Sequence, residues 1–385
     1  MSKIFNFLKI YLKKFDPIFW TIANLISIYC LVLVASVSRT GINFFKTQLI
    51  AVIIGYLGAM ILSDIDYRKI VKYWYIPAAV CFVLIALTFF IGKAVEGHAG
   101  VNARAWIKLP FNINFQPSEL AKIGFIITFS KHLYALKQKD LLKSFLQIVF
   151  LAVHAFIPVL LTHIQGDDGA AIIFFFMFLF MSFTAGIQFR YFAMILVLII
   201  IAVPIVWNYL MADYQKLRLL SQLNPESDPL GIGFQQNQGK ISIGSGRIWG
   251  QGLFQGPRVG VRGTVPIQES DFIFSVAGEE LGFIGCSLVL ILLISLLFRT
   301  LYVAHTSYDI LGSYICCGFF GMVLSQIALN LGMCLGFLPV IGVTLPFFSA
   351  GGSSAACLYL GLGLVQSVFQ RREDENLEDN PEFIE

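Results

Sequence analysis

Residues 266–298 read PIQESDFIFSVAGEELGFIGCSLVLILLISLLF. A polar stretch ends at Asp271, and an apolar run continues from there to Phe298. The run exceeds the roughly 20 residues a helix needs to cross a bilayer. Asp271 therefore stands where a polar loop meets a membrane span. A carboxylate at that boundary either keeps its charge or has its pKa raised by partial burial. The alternative is a helix cap, in which Ser270 or Asp271 accepts first-turn amides. Glu279 and Glu280 follow two turns later at apolar depth, where carboxylates are costly and face a partner or a cavity.

Similar runs recur on both sides of this one. They lie near 18–37, 45–63, 73–92, 118–135, 144–163, 169–187, 191–212, 308–330 and 345–369. With 271–298 they predict an all-α polytopic membrane protein of about ten transmembrane helices. Composition agrees: 57% of residues are hydrophobic and 13% charged. Soluble domains carry about 25% charge, so this chain cannot cover a water-facing surface of its size. The seven cysteines lie in or beside apolar runs without metal or disulfide spacing, and read as small core residues. The five histidines are scattered. The basic start is followed by an apolar run long enough to span, so it is not a cleavable signal peptide.

Lys and Arg resist translocation and set the orientation. Lys3, Lys9, Lys13 and Lys14, then Arg68, Lys69 and Lys72, then Lys131 to Lys143, Arg190, Arg299, Arg371 and Arg372 fall on one side. Both termini are then cytoplasmic. The acidic tail 373–385 is expected to be disordered, leaving 1–372 as a single transmembrane domain. Two long loops on the outer side break the charge rule. Loop 93–117 carries Lys93, Arg104 and Lys108; loop 213–270 carries Lys216, Arg218, Lys240, Arg247, Arg258 and Arg262. An anionic ligand such as pyrophosphate would explain them, and so would ordinary solvated charge. No phosphate-binding or dinucleotide glycine motif is present.

Four segments hold residues suited to chemistry. The glycine-dense loop 230–256 interleaves Phe234, Trp249 and Leu253, which suggests a packed loop that ends at Ser270 and Asp271. In Asn102-Ala-Arg104-Ala-Trp106 and Gln116-Pro-Ser-Glu119-Leu-Ala-Lys122, Pro117 and Ser118 start a helix. Glu119 and Lys122 can then pair at i, i+3 on one face. Gln165-Gly-Asp167-Asp168-Gly169 adds carboxylates on the same side of the membrane. Leu345-Pro-Phe-Phe-Ser-Ala-Gly-Gly-Ser-Ser354 permits close packing or a broken helix.

Taken in this order, these stretches resemble the SEDS family of membrane glycosyltransferases, typified by RodA and FtsW. The resemblance rests on Ala103-Arg-Ala-Trp-Ile107, Gln116 to Lys122, Asp167 with Gly169, Ile243-Gly-Ser-Gly246, and Asp271-Phe-Ile-Phe274. It extends through Gly278-Glu-Glu-Leu-Gly282, Asn330 with Gly332-Met333, and Leu345-Pro-Phe with Ser349 and Gly351 to Ser354. It implies polymerisation of lipid II into glycan strands in a bacterial cytoplasmic membrane, and a class B penicillin-binding protein as partner. It makes Asp271 the essential loop aspartate and puts Arg104, Glu119 and Lys122 in the substrate cavity, beside Trp106, Asp167 and Ser270. The usual Pro-Glu-x-His-Thr-Asp is altered here: Ile267 replaces the glutamate, Glu269 the histidine and Ser270 the threonine.

On this reading Asp271 takes the proton of the acceptor hydroxyl. Arg104, Lys122 and Arg218 neutralise the pyrophosphate. A divalent cation could share the pyrophosphate, but no carboxylate cluster demands one. Nucleic acid is not an expected partner; membrane lipid is. A lipid-precursor flippase and a scaffold for the cross-linking partner are the competing classes. Within the family, the short start and Ile243-Gly-Ser-Gly246 favour the RodA-like elongation branch over the FtsW-like division branch.

Overall fold

The computed structural model describes residues 15–40, 44–92, 104–108, 114–211, 213–223, 232–261 and 264–373. The acidic tail from 374 onward, Lys3 to Lys14, Lys93 and Arg262 lie outside the described residues. Helices α1 (Pro17–Val37) and α2 (Phe44–Asp64) are followed by the short α3 (Tyr67–Lys72) and by α4 (Tyr75–Ile91). Next come strands β1 (Ile107–Lys108) and β2 (Asn114–Phe115), then α5 (Pro117–Gln138), α6 (Phe145–Ile164), α7 (Asp168–Thr184) and α8 (Phe189–Ile205). After α8 the chain forms α9 (Asp213–Leu223), α10 (Ile232–Ser245), α11 (Ile273–His305), α12 (Ile310–Leu335) and α13 (Gly352–Gln370). Every expected span has its helix, and the chain is a multi-span helical membrane protein.

Local chemistry sets the helix ends. Asp16 caps α1 by accepting from the Phe19 amide at 3.1 Å, with Pro17 at the first position. Asp309 caps α12 through the Gly312 amide at 2.7 Å, and Gly336 ends that helix in the left-handed conformation. Helices α12 and α13 form the buried centre, with α5 and α7 against α12. Helix α13 packs closely on α2. There a Cβ at Gly363 would lie 2.7 Å from the Ala59 carbonyl oxygen, so only glycine lets the backbones approach this closely. Helix α8 is the opposite case: Tyr191 is its one buried residue among those described.

Four expectations change. Helix α11 is broken at Gly282, whose φ of 64° and ψ of −157° suit glycine. The arm from 283 to 305 spans about 34 Å by itself, enough to cross the bilayer. Residues 273–281 form a separate short arm, so Glu279 and Glu280 sit at the break rather than deep in a continuous span. The chain before α11 fills the gap: the Gln251 and Gly252 amides donate to the Glu279 and Glu280 carbonyls at 2.9 and 3.0 Å, and the Phe283 amide donates to Arg247 at 2.8 Å. Second, loop 213–270 is partly helical, because it contains α9 and α10. Third, the last helix starts at Gly352 rather than 345, since Pro346 and the Gly351-Gly352 pair keep 341–351 irregular. Fourth, the all-helical fold carries one small antiparallel ribbon, with Ile107 opposite Phe115.

One end of the bundle is tied by ion pairs. Arg299 grips Asp16 at 2.7 and 2.9 Å, and Arg68 meets Asp309 at 2.8 Å. The histidines, scattered in sequence, include one folded pair: the Nδ1 atoms of His132 and His154 lie 3.1 Å apart.

Candidate active site

At the opposite end from those ion pairs lies a cavity of about 400 Å³. Its walls come from the starts of α2, α5 and α7, the ribbon, segment 266–270, segment 342–352 and the second half of α12. Segment 266–270 turns sharply, with Ile267 at φ 54°, and the Ser270 and Phe272 amides both donate to the Ile267 carbonyl at 3.3 Å. The segment is pinned from behind. Asn330 Nδ2 donates to the Asp271 carbonyl at 2.8 Å and to the Val343 carbonyl at 2.7 Å. Ser349 Oγ donates to the Ser270 carbonyl at 2.6 Å, and the Ala350 amide donates to the Glu269 carbonyl at 2.8 Å.

Asp271 is 2% exposed. Ser270 Oγ donates to its Oδ1 at 3.1 Å. Neither residue caps the helix: the N-cap of α11 is Phe272, without a side-chain bond. Glu269 and Ser270 are among the residues lining the cavity, and Asp271 sits directly behind them.

Glu119, Asp167 and Trp106 also line the cavity. Lys122 is fully buried and stands behind Glu119, donating to its Oε1 at 2.9 Å. Ser354 Oγ donates to the other oxygen at 3.1 Å. Lys122 therefore neutralises a wall carboxylate instead of facing the cavity. Asp167 accepts from Gln116 Nε2 at 2.7 Å, Ser118 Oγ at 2.9 Å and the Ala170 amide at 3.0 Å, which caps α7. Burial still pushes its carboxyl above the usual carboxylate range, with these donors pulling it back. Arg104 is exposed beside the ribbon. The Arg218 side chain lies outside the described residues. Among the described residues lining the cavity, the charged ones are Glu119, Asp167 and Glu269. The wall thus offers acceptors to a ligand that donates hydrogen bonds, with Lys122 paired to Glu119.

Four neighbours were given no role by the sequence. Asp168 turns away from the cavity and accepts from Gln215 Nε2 of α9 at 3.2 Å, with His163 Nδ1 at 2.6 Å. It ties α9 to the α6–α7 turn. Glu279 and Glu280 serve the loop. Glu279 Oε1 accepts from the Arg258 amide at 2.8 Å, and Glu280 Oε1 accepts from Ser36 Oγ at 2.6 Å with Arg39 3.7 Å away. Gln326 lines the cavity from α12, and its Oε1 is buried without a hydrogen-bond partner. The available signal was a lone amide in an apolar run.

Known proteins resemble this chain in sequence and in fold. The family model covering FtsW, RodA and SpoVE, described as "Cell cycle protein", matches residues 15–374. The chain is 32% identical to the peptidoglycan glycosyltransferase MrdB of Escherichia coli K12, over 93% of this chain and 94% of that one. It is also 32% identical to the probable peptidoglycan glycosyltransferase FtsW of Geobacter metallireducens, over 94% and 96% of the two chains. A solved chain from a peptidoglycan synthase complex that coordinates polymerization and crosslinking aligns with a TM-score of 0.77 and 30% identity, covering 94% of this chain and 99% of that one. The rod shape determining protein RodA of Thermus thermophilus aligns with a TM-score of 0.69 and 27% identity, covering 93% and 98%. Matched from end to end in sequence and in fold, the chain belongs to the FtsW/RodA/SpoVE family of SEDS peptidoglycan glycosyltransferases.

Proposed function

We propose that this protein polymerises lipid II at the outer face of the cytoplasmic membrane, with Asp271 as the base that receives the acceptor proton. The observation that carries the reading is the hydroxyl-and-carboxylate cavity at the end of the bundle, with Ser270 on its wall and Asp271 behind it. A glycosyl acceptor needs a base at its hydroxyl, and the leaving diphosphate needs positive charge. Arg104, exposed beside Trp106, is the cation suited to the diphosphate. Glu119, Asp167 and Trp106 position the sugars, and Ser270 stands between them and Asp271. Lys122 acts through Glu119, and Arg218, in the 213–270 loop that leads to Asp271, is a further cation for the diphosphate. Both termini are cytoplasmic on this reading, because the ion-paired basic end lies opposite the cavity. Residues 1–372 act as one transmembrane domain with a separate acidic tail.

A class B penicillin-binding protein is the partner we favour, since a solved neighbour comes from a complex of polymerization and crosslinking. We place the chain in the elongation branch, in keeping with its likeness to MrdB and RodA. A tagged protein at the lateral wall supports that placement, and one confined to the septum overturns it. The reaction is tested with purified Asp271→Asn and labelled lipid II. Glycan polymer at the wild-type rate would remove Asp271 as the base. Arg104→Ala should weaken lipid II binding, and unchanged binding removes it from the site.

A further inference from the structure

A hydroxyl on the cavity wall is hydrogen-bonded to the aspartate. Ser270 is on the wall; Asp271 is 2% exposed and not among the described lining residues. The link between them is the Ser270 Oγ bond to Asp271 Oδ1, at 3.1 Å. Both backbones are fixed independently of that bond, Ser270 by Ser349 and Asp271 by Asn330. The Ser270 side chain is thus free of a structural duty toward the backbone turn. A serine hydroxyl donates one hydrogen bond while accepting others, so it can receive one proton as it gives up its own.

Building on the glycosyl-transfer reading, we propose that Ser270 is a catalytic proton relay between the acceptor hydroxyl and Asp271. The acceptor hydroxyl gives its proton to Ser270 Oγ as the proton of Ser270 passes to Asp271 Oδ1. The acceptor oxygen then forms the new bond to the anomeric carbon of the donor. The bond from that carbon to the diphosphate oxygen breaks, and the diphosphate leaves with the electron pair. Ser270 ends neutral, Asp271 ends protonated, and water takes the proton back after release. The relay lets the base stay dry behind the wall while the acceptor stays in the cavity. A threonine, the residue the family pattern carries here, would supply the same hydroxyl.

The test uses the full chain in lipid bilayers with labelled lipid II. Ser270→Ala should lower the maximal polymerisation rate by about 100-fold, the low end of a general acid–base contribution. Lipid II binding should stay within about twofold. Ser270→Thr should restore most of the rate. A solvent isotope effect separates a relay from a brace. The wild-type rate should slow in heavy water as two protons move together, and the residual Ser270→Ala rate should lose that effect. The relay is overturned by an Ala variant at the wild-type rate, by an isotope effect that survives in it, by binding lost in proportion to rate, or by failure of Thr to restore. A wild-type protein that makes no polymer overturns the glycosyl-transfer reading and the relay with it. An active wild type with an unimpaired Ala variant overturns the relay alone.

Discussion

Replacing Lys122 by Met would remove the cation from a nearly dry ion pair. Its side chain is 1% exposed and that of Glu119 is 9% exposed, with the charged atoms 2.9 Å apart. Removing one partner of a buried pair costs about 3–5 kcal/mol, because the other charge is left behind. Ser354 still donates to Glu119, so the loss should lie near the lower bound, about 3 kcal/mol. A kilocalorie shifts the melting point of a mid-sized domain by about 2–4 °C, so a fall of about 6–12 °C is expected. Thermal unfolding followed by tryptophan fluorescence, at one fixed heating rate, measures it. Adding Glu119→Gln removes the stranded charge, and the double variant should recover most of the loss. It should not recover polymer formation, because Glu119 lines the cavity. A Lys122→Met protein that melts with the wild type, or a double variant that melts below the single one, would refute this account of the pair.

Gly282→Ala should abolish the break in α11: the residue has φ 64°, and its Cβ would lie 2.6 Å from the Ile248 carbonyl oxygen. Backbone strain there costs about 1–3 kcal/mol before the clash is added, so both melting temperature and polymerisation should fall. Asp168→Ala should release α9 from the α6–α7 turn, and limited proteolysis should cut within 213–223 faster than in wild type while the bundle stays intact. Unchanged cleavage would show that Gln215 and His163 do not hold α9 through Asp168.

The spans were legible because lipid demands long apolar runs, and each predicted run has its helix. The breaks were not, since hydropathy is blind to direction. Gly282 lies inside a run as apolar as its neighbours, and Leu345-Pro-Phe-Phe is apolar without being helical. Asp271 was legible as a boundary carboxylate, but its retreat behind Ser270 depends on a turn at Ile267 that no residue type announces. The family resemblance put Lys122 in the cavity and its spacing paired it with Glu119; only packing shows that Glu119 lines the cavity while Lys122 is buried beside it. Asp168 and His163 pair across a turn, which was open to view in the sequence. Gln326 and the His132–His154 contact come from separate helices that tertiary packing brings into place.

The exposure of α8 has its own consequence. Its apolar side chains, such as Ile200 at 63% and Leu198 at 62%, face outward instead of toward other helices. Displacing this helix trades lipid for lipid, so little packing energy opposes a tilt or a sideways shift. Its angle will therefore answer to the bilayer. In a thicker membrane it should stand upright, and in a thinner one it should lean, at fractions of a kcal/mol per ångström of mismatch. Helix α9 follows α8 closely in the chain, so acyl-chain length becomes a quantity to which the 213–270 loop, and the cavity it borders, can respond.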